Sequence, residues 1–167
     1  MKKTIQFLSI LTILALTFSA CSMEEKEEPV DAEQINMADL KVEIQAMEDA
    51  FSAAALAKDA DGVAVYYSEN AVSHSRNKQP VSGRDAIREN IAKGFESDTL
   101  GGYSVYKVVD LFAEGNTALE IGSWTQFDAS GTETENGHYM SYFVKSDGKY
   151  ECVRDMSAST MPVKEGM

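Results

Sequence analysis

The spacing of apolar residues changes at Gly101-Gly102, and this change restricts the chain to very few architectures. Before it, between Met37 and about Lys58, apolar residues recur at steps of three and four, which is the stripe of an amphipathic helix. After it the period is two, and the alternating segments predict four strands, Tyr103 to Ala113, Asn116 to Ala129, Glu135 to Lys145 and Lys149 to Ser159. Helices followed by a meander of strands predict an α+β domain, with the helices packed on one face of a curved antiparallel sheet.

Three shorter elements are expected between the first helix and the sheet. Asp61 is the predicted cap of a second helix, because an aspartate side chain can accept hydrogen bonds from the first turn. The sequence then predicts, in order, a helix over residues 61–67, an extended segment over 71–75, a turn over 79–83 and a third helix over 84–95.

The first twenty residues have the pattern of a secretory signal. Lys2 and Lys3 precede an apolar stretch, residues 7–18, which is shorter than the roughly 20 residues that a spanning helix needs. Residues 18–21, Phe-Ser-Ala-Cys, resemble the bacterial lipobox, in which the first position is more often leucine. The resemblance implies removal of residues 1–20, acylation of Cys21 and a membrane anchor. Ordinary cleavage near the same place, with Cys21 left free, is the alternative.

Residues 21–36 are expected to form a solvated tether, because they combine few apolar side chains with a run of acidic ones. An acidic run directly after the lipidated cysteine also resembles the surface-export signal of Bacteroidota lipoproteins, and a plain spacer is the alternative. The sequence thus predicts an exported lipoprotein of the outer membrane. Its folded domain would occupy residues 37–160, followed by a tail over 161–167.

Charge and cysteine content exclude several classes of protein. A formal net charge of −12 argues against nucleic acid and against an anionic lipid surface as partners. If Cys21 is acylated, Cys152 has no partner, so no disulfide framework is expected and Cys152 is predicted to lie in the core. No metal-ligand spacing and no Gly-rich phosphate loop is present in the sequence, so neither a metal nor a cofactor is predicted.

Three stretches of the domain together resemble one family. They are residues 58–72 (KDADGVAVYYSENAV), 83–88 (GRDAIR) and 142–155 (YFVKSDGKYECVRD). The chain resembles the SnoaL-like branch of the nuclear transport factor 2-like superfamily, which includes ketosteroid isomerase and polyketide cyclases. The resemblance implies a cone-shaped sheet wrapped around the first helix, with a pocket for a small molecule at its open end. It also implies a homodimer that pairs through the sheet.

Ketosteroid isomerase makes the sharpest comparison, because its chemistry needs a carboxylate base and two oxyanion donors, a tyrosine and a protonated aspartate. Placed by the three stretches, the tyrosine corresponds to Phe51, the base to Ser75 and the protonated acid to about Met140. None of these positions keeps the required side chain. Steroid isomerisation by that mechanism is therefore not expected.

Strand alternation selects the other candidate pocket residues. If Met140 faces the pocket, His138 and Tyr142 face it too, while Val153 and Asp155 share the corresponding face of the last strand. The predicted catalytic residues are His138, Asp155 and His74. The predicted ligand-binding residues are Phe51, Tyr66, Glu120, Trp124, Met140, Tyr142 and Val153. The assignment depends on register, because a slip of one residue reverses every face.

Each polar candidate also has a purely structural interpretation. Both His138 and His74 can be solvated histidines, Asp155 can pair with Arg154, and Glu120 is expected to be a solvated strand carboxylate. Three functions stay open: a binding module for a small, largely apolar molecule, an acid–base lyase, cyclase or isomerase that uses His138 with Asp155, and an assembly role through the sheet. The lack of a strong catalytic motif favours the binding module over an enzyme.

Overall fold

The computed structural model describes residues 35–98 and 101–162. The predicted signal segment, the acylation site Cys21 and nearly all of the tether lie outside the described residues. The elements are, in order, α1 (Met37–Leu56), α2 (Ala60–Ala64), β1 (Tyr67–His74), β2 (Val81–Ser82), α3 (Arg84–Ser97), β3 (Tyr103–Glu114), β4 (Thr117–Phe127), β5 (Glu133–Ser146) and β6 (Lys149–Ser159). The change of period at Gly101-Gly102 therefore marks the end of the helical part, as predicted. Within the described ranges, no helix has the length and apolar character required to span a membrane.

The strands form one six-stranded sheet in the order β2-β1-β6-β5-β4-β3. All neighbours pair antiparallel except β1 and β6, which are parallel. The predicted α+β class and curved sheet are confirmed, and the expectation of a wholly antiparallel sheet is wrong for this one pair. The exception has a simple reason: no hairpin connects β1 to β6, so no tight turn forces the two strands to run in opposite directions.

The β5–β6 hairpin shows why the meander forms where the sequence predicts it. Asp147 and Gly148 both have positive φ, 51° and 80°. Positive φ at both central residues is the requirement of a type I′ turn, whose twist matches that of the flanking strands. The turn therefore fixes the register of β5 against β6 from this end.

The second helix begins earlier than predicted. It covers Ala60–Ala64, and its N-cap is Asp59, not Asp61. The Asp59 carboxylate accepts a hydrogen bond of 2.9 Å from the Gly62 N–H. The segment that follows, from Tyr67, is already strand β1, so the prediction of helix through residue 67 is wrong.

Replacing Asp59 with alanine should lower the free energy of unfolding by about 1 kcal/mol, because the N–H at Gly62 loses its acceptor. Urea unfolding followed by circular dichroism measures the loss. The matched control is Asp61→Ala, since the side chain of Asp61 is 83% exposed and makes only a surface ion pair with Arg88. That control should change stability by less than about 0.5 kcal/mol. Equal losses for the two variants would show that the cap is assigned to the wrong aspartate.

The hydrophobic core forms between α1 and the concave face of the sheet, with contributions from α3 and β1. Its buried members are Leu40, Ile44, Tyr66, Tyr67, Ala71, Ile87, Val108, Ala118, Phe143, Tyr150 and Cys152. The prediction that Cys152 lies in the core is confirmed, because its side chain is 0% exposed. Burial raises the pKa of this thiol well above its usual value, so Cys152 is not a nucleophile.

The faces of β5 are the reverse of those predicted. Tyr139, Ser141 and Phe143 point inward and are buried, whereas Met140 and Tyr142 are each 38% exposed on the convex face. His138 is also exposed on the convex side. A shift of one residue reverses a whole strand in this way.

The physical reason for this register is the fit of aromatic rings over glycines. Gly122 of β4 pairs with Tyr139, and a Cβ at Gly122 would collide with the Tyr139 ring. Gly137 of β5 pairs with Trp124, and a Cβ there would lie 2.7 Å from the indole. Two large rings can pack on the concave face only because the residue opposite each is a glycine.

Strand β6 contains an irregularity that the sequence did not indicate. Its pairing with β5 passes from Arg154 opposite Tyr142 directly to Cys152 opposite Phe143, so Val153 is the extra residue of a β-bulge. A bulge sets two residues against one and breaks the alternation of faces. Val153 therefore does not share the inward face with Asp155, contrary to the prediction.

Candidate functional site

A pocket of about 440 Å³ opens on the concave side of the sheet, bounded by α1, α3 and the loop after β1. Its lining combines aromatic and aliphatic side chains with polar ones. The aromatic and aliphatic side chains are Phe51, Tyr66, Tyr67, Tyr106, Trp124, Tyr139, Val81, Ile87, Ile91, Met156 and Ala158. The rings pack edge to face, with Phe51 in contact with Tyr66, Tyr67 and Tyr106 at centroid distances of 5.1 to 6.4 Å. Mutual packing of this kind fixes the orientation of the rings.

Two glutamates lie together beneath the aromatic rings. The Tyr66 hydroxyl donates to Glu48 Oε1 at 2.5 Å and lies 3.0 Å from Ser141 Oγ. The Tyr139 hydroxyl donates to Glu120 Oε1, also at 2.5 Å. Glu48 itself lines the pocket, whereas Glu120 lies beneath Tyr139 and does not.

Burial is the main reason why both carboxyls hold protons unusually tightly. It raises the pKa of Glu48 well above the usual range, and the charge of neighbouring Glu120 raises it further. Burial also raises the pKa of Glu120, while hydrogen bonds from Tyr139 and from the protonated Glu48 carboxyl lower it. The pair therefore keeps a proton at neutral pH, with Glu48 as its carrier.

These two residues show the limits of reading the sequence. Glu120 faces inward together with Trp124, as strand alternation predicted, but the expectation of a solvated carboxylate is wrong because its side chain is 0% exposed. Glu48 was missed altogether. Its signal is the spacing Leu40, Ile44, Glu48, in steps of four along the buried face of α1.

The side wall of the pocket carries a second polar group, made by Asp155 with Tyr67 and His74. The Tyr67 hydroxyl donates to Asp155 Oδ2 at 2.8 Å, and the backbone N–H of His74 donates to Oδ1 at 3.3 Å. Nδ1 of His74 lies 3.0 Å from the backbone oxygen of Asp155. An oxygen at that place fixes the tautomer with the proton on Nδ1, which leaves Nε2 free to accept a proton or a hydrogen bond.

The predicted His138–Asp155 pair does not form, and the histidine next to Asp155 is His74, whose ring contacts the Asp155 backbone oxygen and not its carboxylate. His138 pairs with Ala158 across the strands and is exposed on the convex side, so it cannot meet Asp155 in the pocket. Of the other predicted site residues, Phe51, Tyr66 and Trp124 line the pocket. Those that do not line it are Glu120, Met140, Tyr142 and Val153.

The mouth of the pocket is formed mainly by the loop after β1. Arg76 and Lys78 line it, and Arg76 forms an ion pair with Glu135 of β5. In the part of the chain that the structure describes, no cluster of histidine, cysteine and carboxylate side chains has the geometry to hold a metal ion. The ionisable groups that line the pocket include two carboxyl groups, Glu48 and Asp155, and one imidazole, His74.

Residues 36–152 match the family model described as a SnoaL-like domain. The chain belongs to the SnoaL-like family. No curated protein matches the chain.

Solved structures share the fold of this SnoaL-like domain at low sequence identity. A ketosteroid isomerase-like protein from Erwinia carotovora atroseptica is 20% identical with a TM-score of 0.60, over 73% of this chain and 97% of that one. A nuclear transport factor 2-like protein with a cystatin-like fold from Novosphingobium aromaticivorans is 19% identical with a TM-score of 0.64, over 74% and 84%. A candidate scytalone dehydratase from the same organism is 18% identical with a TM-score of 0.61, over 75% and 87%. At such identities the likeness establishes the fold, and function has to be argued from the site.

Proposed function

We propose that this chain is an exported, lipid-anchored protein of the outer membrane whose SnoaL-like domain binds a small organic molecule with a largely apolar body. The observation that carries the binding function is the open pocket of about 440 Å³, lined by six aromatic side chains together with polar groups that include Glu48, His74 and Asp155. Ligand pockets typically span about 300–1,000 Å³ and combine apolar walls with polar groups that fix the orientation of the ligand. Support for the anchor comes from the sequence of residues 1–36 alone.

The binding function predicts that the protein retains a molecule during purification. The full chain, expressed in bacteria, should show in a native mass spectrum an additional mass that leaves on mild activation. Its loss should change the fluorescence of Trp124, because Trp124 is the only tryptophan in the chain and lines the pocket.

A pair of matched variants locates the bound molecule. Ser157 lines the pocket, whereas His138 lies on the convex face. Ser157→Phe should narrow the pocket and lower the occupied fraction at least about tenfold, because the added ring takes up space that the ligand would occupy. His138→Phe should leave occupancy unchanged. A bare wild-type protein whose Trp124 responds to no small molecule would contradict the proposal.

Acid–base catalysis is the second candidate, and one specific observation favours it. His74 stands in the pocket with its Nδ1 occupied by the Asp155 carbonyl, which leaves Nε2 as a base for proton abstraction. Such a step would suit a lyase, cyclase or isomerase and needs no cofactor.

The two histidines of the chain provide the test of catalysis. If the retained molecule is a substrate or product, His74→Gln should lower its conversion by about 10²–10⁴-fold. His138→Gln, at the other histidine, should leave the rate unchanged. Mass spectrometry of the small-molecule fraction after incubation measures the conversion. Equal rates for the two variants would exclude His74 as the catalytic base.

Homodimerisation through the sheet also stays part of the proposal. The convex face carries exposed apolar side chains on neighbouring strands, among them Phe112, Met140 and Tyr142. Leu119 of β4 pairs with both Phe112 of β3 and Tyr142 of β5, so these residues form a continuous row across three strands. A contiguous apolar face of this kind is a suitable surface for a second copy.

A further inference from the structure

Three carboxyl side chains point into the concave side of the SnoaL-like domain without a cationic partner. Glu48 is 2% exposed, Glu120 is 0% exposed, and Asp155 is half-buried on the pocket wall. Within residues 35–98 and 101–162, the donors to the Asp155 carboxylate are both neutral, the Tyr67 hydroxyl and the His74 backbone N–H. The ion pairs formed by the described residues are Lys58–Asp98, Arg76–Glu135, Arg84–Glu151 and Arg88–Asp61, and none of them reaches these three carboxyls.

The most deeply buried of the three is also incompletely bonded. Glu120 Oε1 accepts from Tyr139, and Glu120 Oε2 is buried with no partner among the described residues other than the protonated carboxyl of Glu48. Glu120 lies on the inward face of β4, directly beside Glu48, which lines the pocket. An unpaired carboxylate in such a place is strongly unfavourable, because the free energy lost on desolvation is returned only by a counter-charge or by full hydrogen bonding. The part of the chain that the structure describes supplies no counter-charge to this pair.

The aromatic rings around Glu48 and Glu120 can stabilise a positively charged group. Phe51, Tyr66, Tyr106, Tyr139 and Trp124 all line the same pocket as Glu48. The face of an aromatic ring attracts a cation, and sets of such rings recognise organic ammonium groups. Among the described residues, the arginine and lysine side chains that line the pocket are Arg76, which forms an ion pair with Glu135, and Lys78 on the exposed rim.

The geometry points to a ligand that carries a single positive charge, an organic ammonium group on an apolar body, with the ammonium group seated against Glu48 among the aromatic rings. This inference rests on the proposed binding function and adds the charge class of the ligand. It also agrees with the net charge of −12, which raises the local concentration of small cations and speeds their association.

Binding of the ammonium group must displace a proton. The Glu48 carboxyl releases its proton to solvent, and the carboxylate left behind pairs with the cation. The titratable groups that face Glu48 from the packed elements are Glu120, Asp155, Cys152, Tyr66, Tyr106 and Tyr139. The tyrosines and Cys152 stay protonated at neutral pH, because burial raises the pKa of each. His74 lines the same pocket next to Asp155. Affinity for a cation should therefore rise with pH, and affinity for a neutral ligand should not.

Two isosteric probes separate charge from shape. Benzyltrimethylammonium and neopentylbenzene have the same outline and differ only in a nitrogen that carries a positive charge, and benzylsulfonate supplies the opposite charge. Titration of the full chain, followed by Trp124 fluorescence, should give about tenfold or tighter binding of the cation than of neopentylbenzene at pH 8. Between pH 6 and pH 8 the affinity for the cation should rise, by at most about tenfold per pH unit, because one proton is released.

The variant Glu48→Gln keeps the shape of the protonated side chain and removes its charge. It should bind neopentylbenzene as the wild type does, lose the preference for the cation and lose the pH dependence. The matched control, Glu43→Gln, removes an exposed carboxylate from the same helix and should keep both. If neopentylbenzene or benzylsulfonate binds as tightly as the cation, the charge class is wrong and the binding function stands. If no probe changes the Trp124 signal, the inference about charge is overturned, and the binding function is then judged by the native mass spectrum alone.

Discussion

Glu48→Gln should raise the free energy of unfolding by about 2–4 kcal/mol at pH 8 and leave it nearly unchanged at pH 4. Burial raises the pKa of Glu48 above its unfolded value of 4.5. Below pH 4.5 both the folded and the unfolded chain hold this proton, so stability does not depend on it. Above pH 4.5 the unfolded chain releases the proton and the folded chain keeps it. Stability therefore falls as pH rises, by at most about 1.4 kcal/mol per pH unit, until the folded pKa is reached.

Urea unfolding of wild type and variant at pH 4, 6 and 8 measures this effect. Glu43→Gln is the control, since it removes the same nominal charge from α1 at an exposed position and corrects for the general repulsion in an acidic chain. The difference between wild type and Glu48→Gln should grow with pH, and the difference for Glu43→Gln should stay small. If the free energies of unfolding of wild type and Glu48→Gln differ by the same amount at pH 4 and pH 8, Glu48 is not the buried titrating group.

The same substitution is thus expected to strengthen the empty fold and to weaken its function. A glutamine at position 48 would satisfy the Tyr66 hydroxyl and avoid the desolvated charge. Stability alone therefore gives no reason for a carboxyl at this place, whereas an ammonium ligand that pairs with it does. Residues that destabilise a fold while serving its site are the usual form of the trade-off between stability and activity.

The architecture could be predicted from the sequence because it depends on the periodicity of apolar residues and on turn residues. The helical stripe that contains Leu40 and Ile44 and the turn at Asp147-Gly148 act locally, and each predicts its own element. The sequence also correctly predicted that Phe51 and Trp124 line the pocket. Glu48 continues the four-residue spacing of Leu40 and Ile44 along α1. It was not predicted to be buried because a carboxylate is rarely found in a core.

The polar residues of the site were harder to predict from the sequence, because their positions depend on the register of β5 and on the bulge in β6. The face of β5 is decided by the fit of Tyr139 over Gly122 on another strand, which alternation within β5 cannot reveal. The extra residue at Val153 shifts the inward face of β6 by one position. Both effects come from pairing between strands, so reading along single strands assigned Met140 and His138 to the wrong side.

Gly137→Ala should lower the free energy of unfolding by about 3 kcal/mol, at the upper end of what overpacking in a core produces. A Cβ at Gly137 would collide with the backbone oxygen of Ala158 and lie 2.7 Å from Cε2 and Cζ2 of Trp124. The oxygen belongs to β6 and the indole lines the pocket, so relief requires movement of a paired strand or of the pocket wall. Urea unfolding gives the loss, and the emission of Trp124 reports the movement of the ring.

Gly94→Ala is the matched control, because the same methyl group meets nothing within 4 Å at Gly94 of helix α3. There alanine should stabilise the chain by about 0.5–1 kcal/mol, since it reduces the entropy of the unfolded chain and favours the helix. The two substitutions add one carbon each and should move stability in opposite directions. If Gly137→Ala were as stable as Gly94→Ala, Trp124 could not pack over β5 at this position. The pocket wall would then have a different register, and the placement of Glu120 beneath Tyr139 would lose its basis.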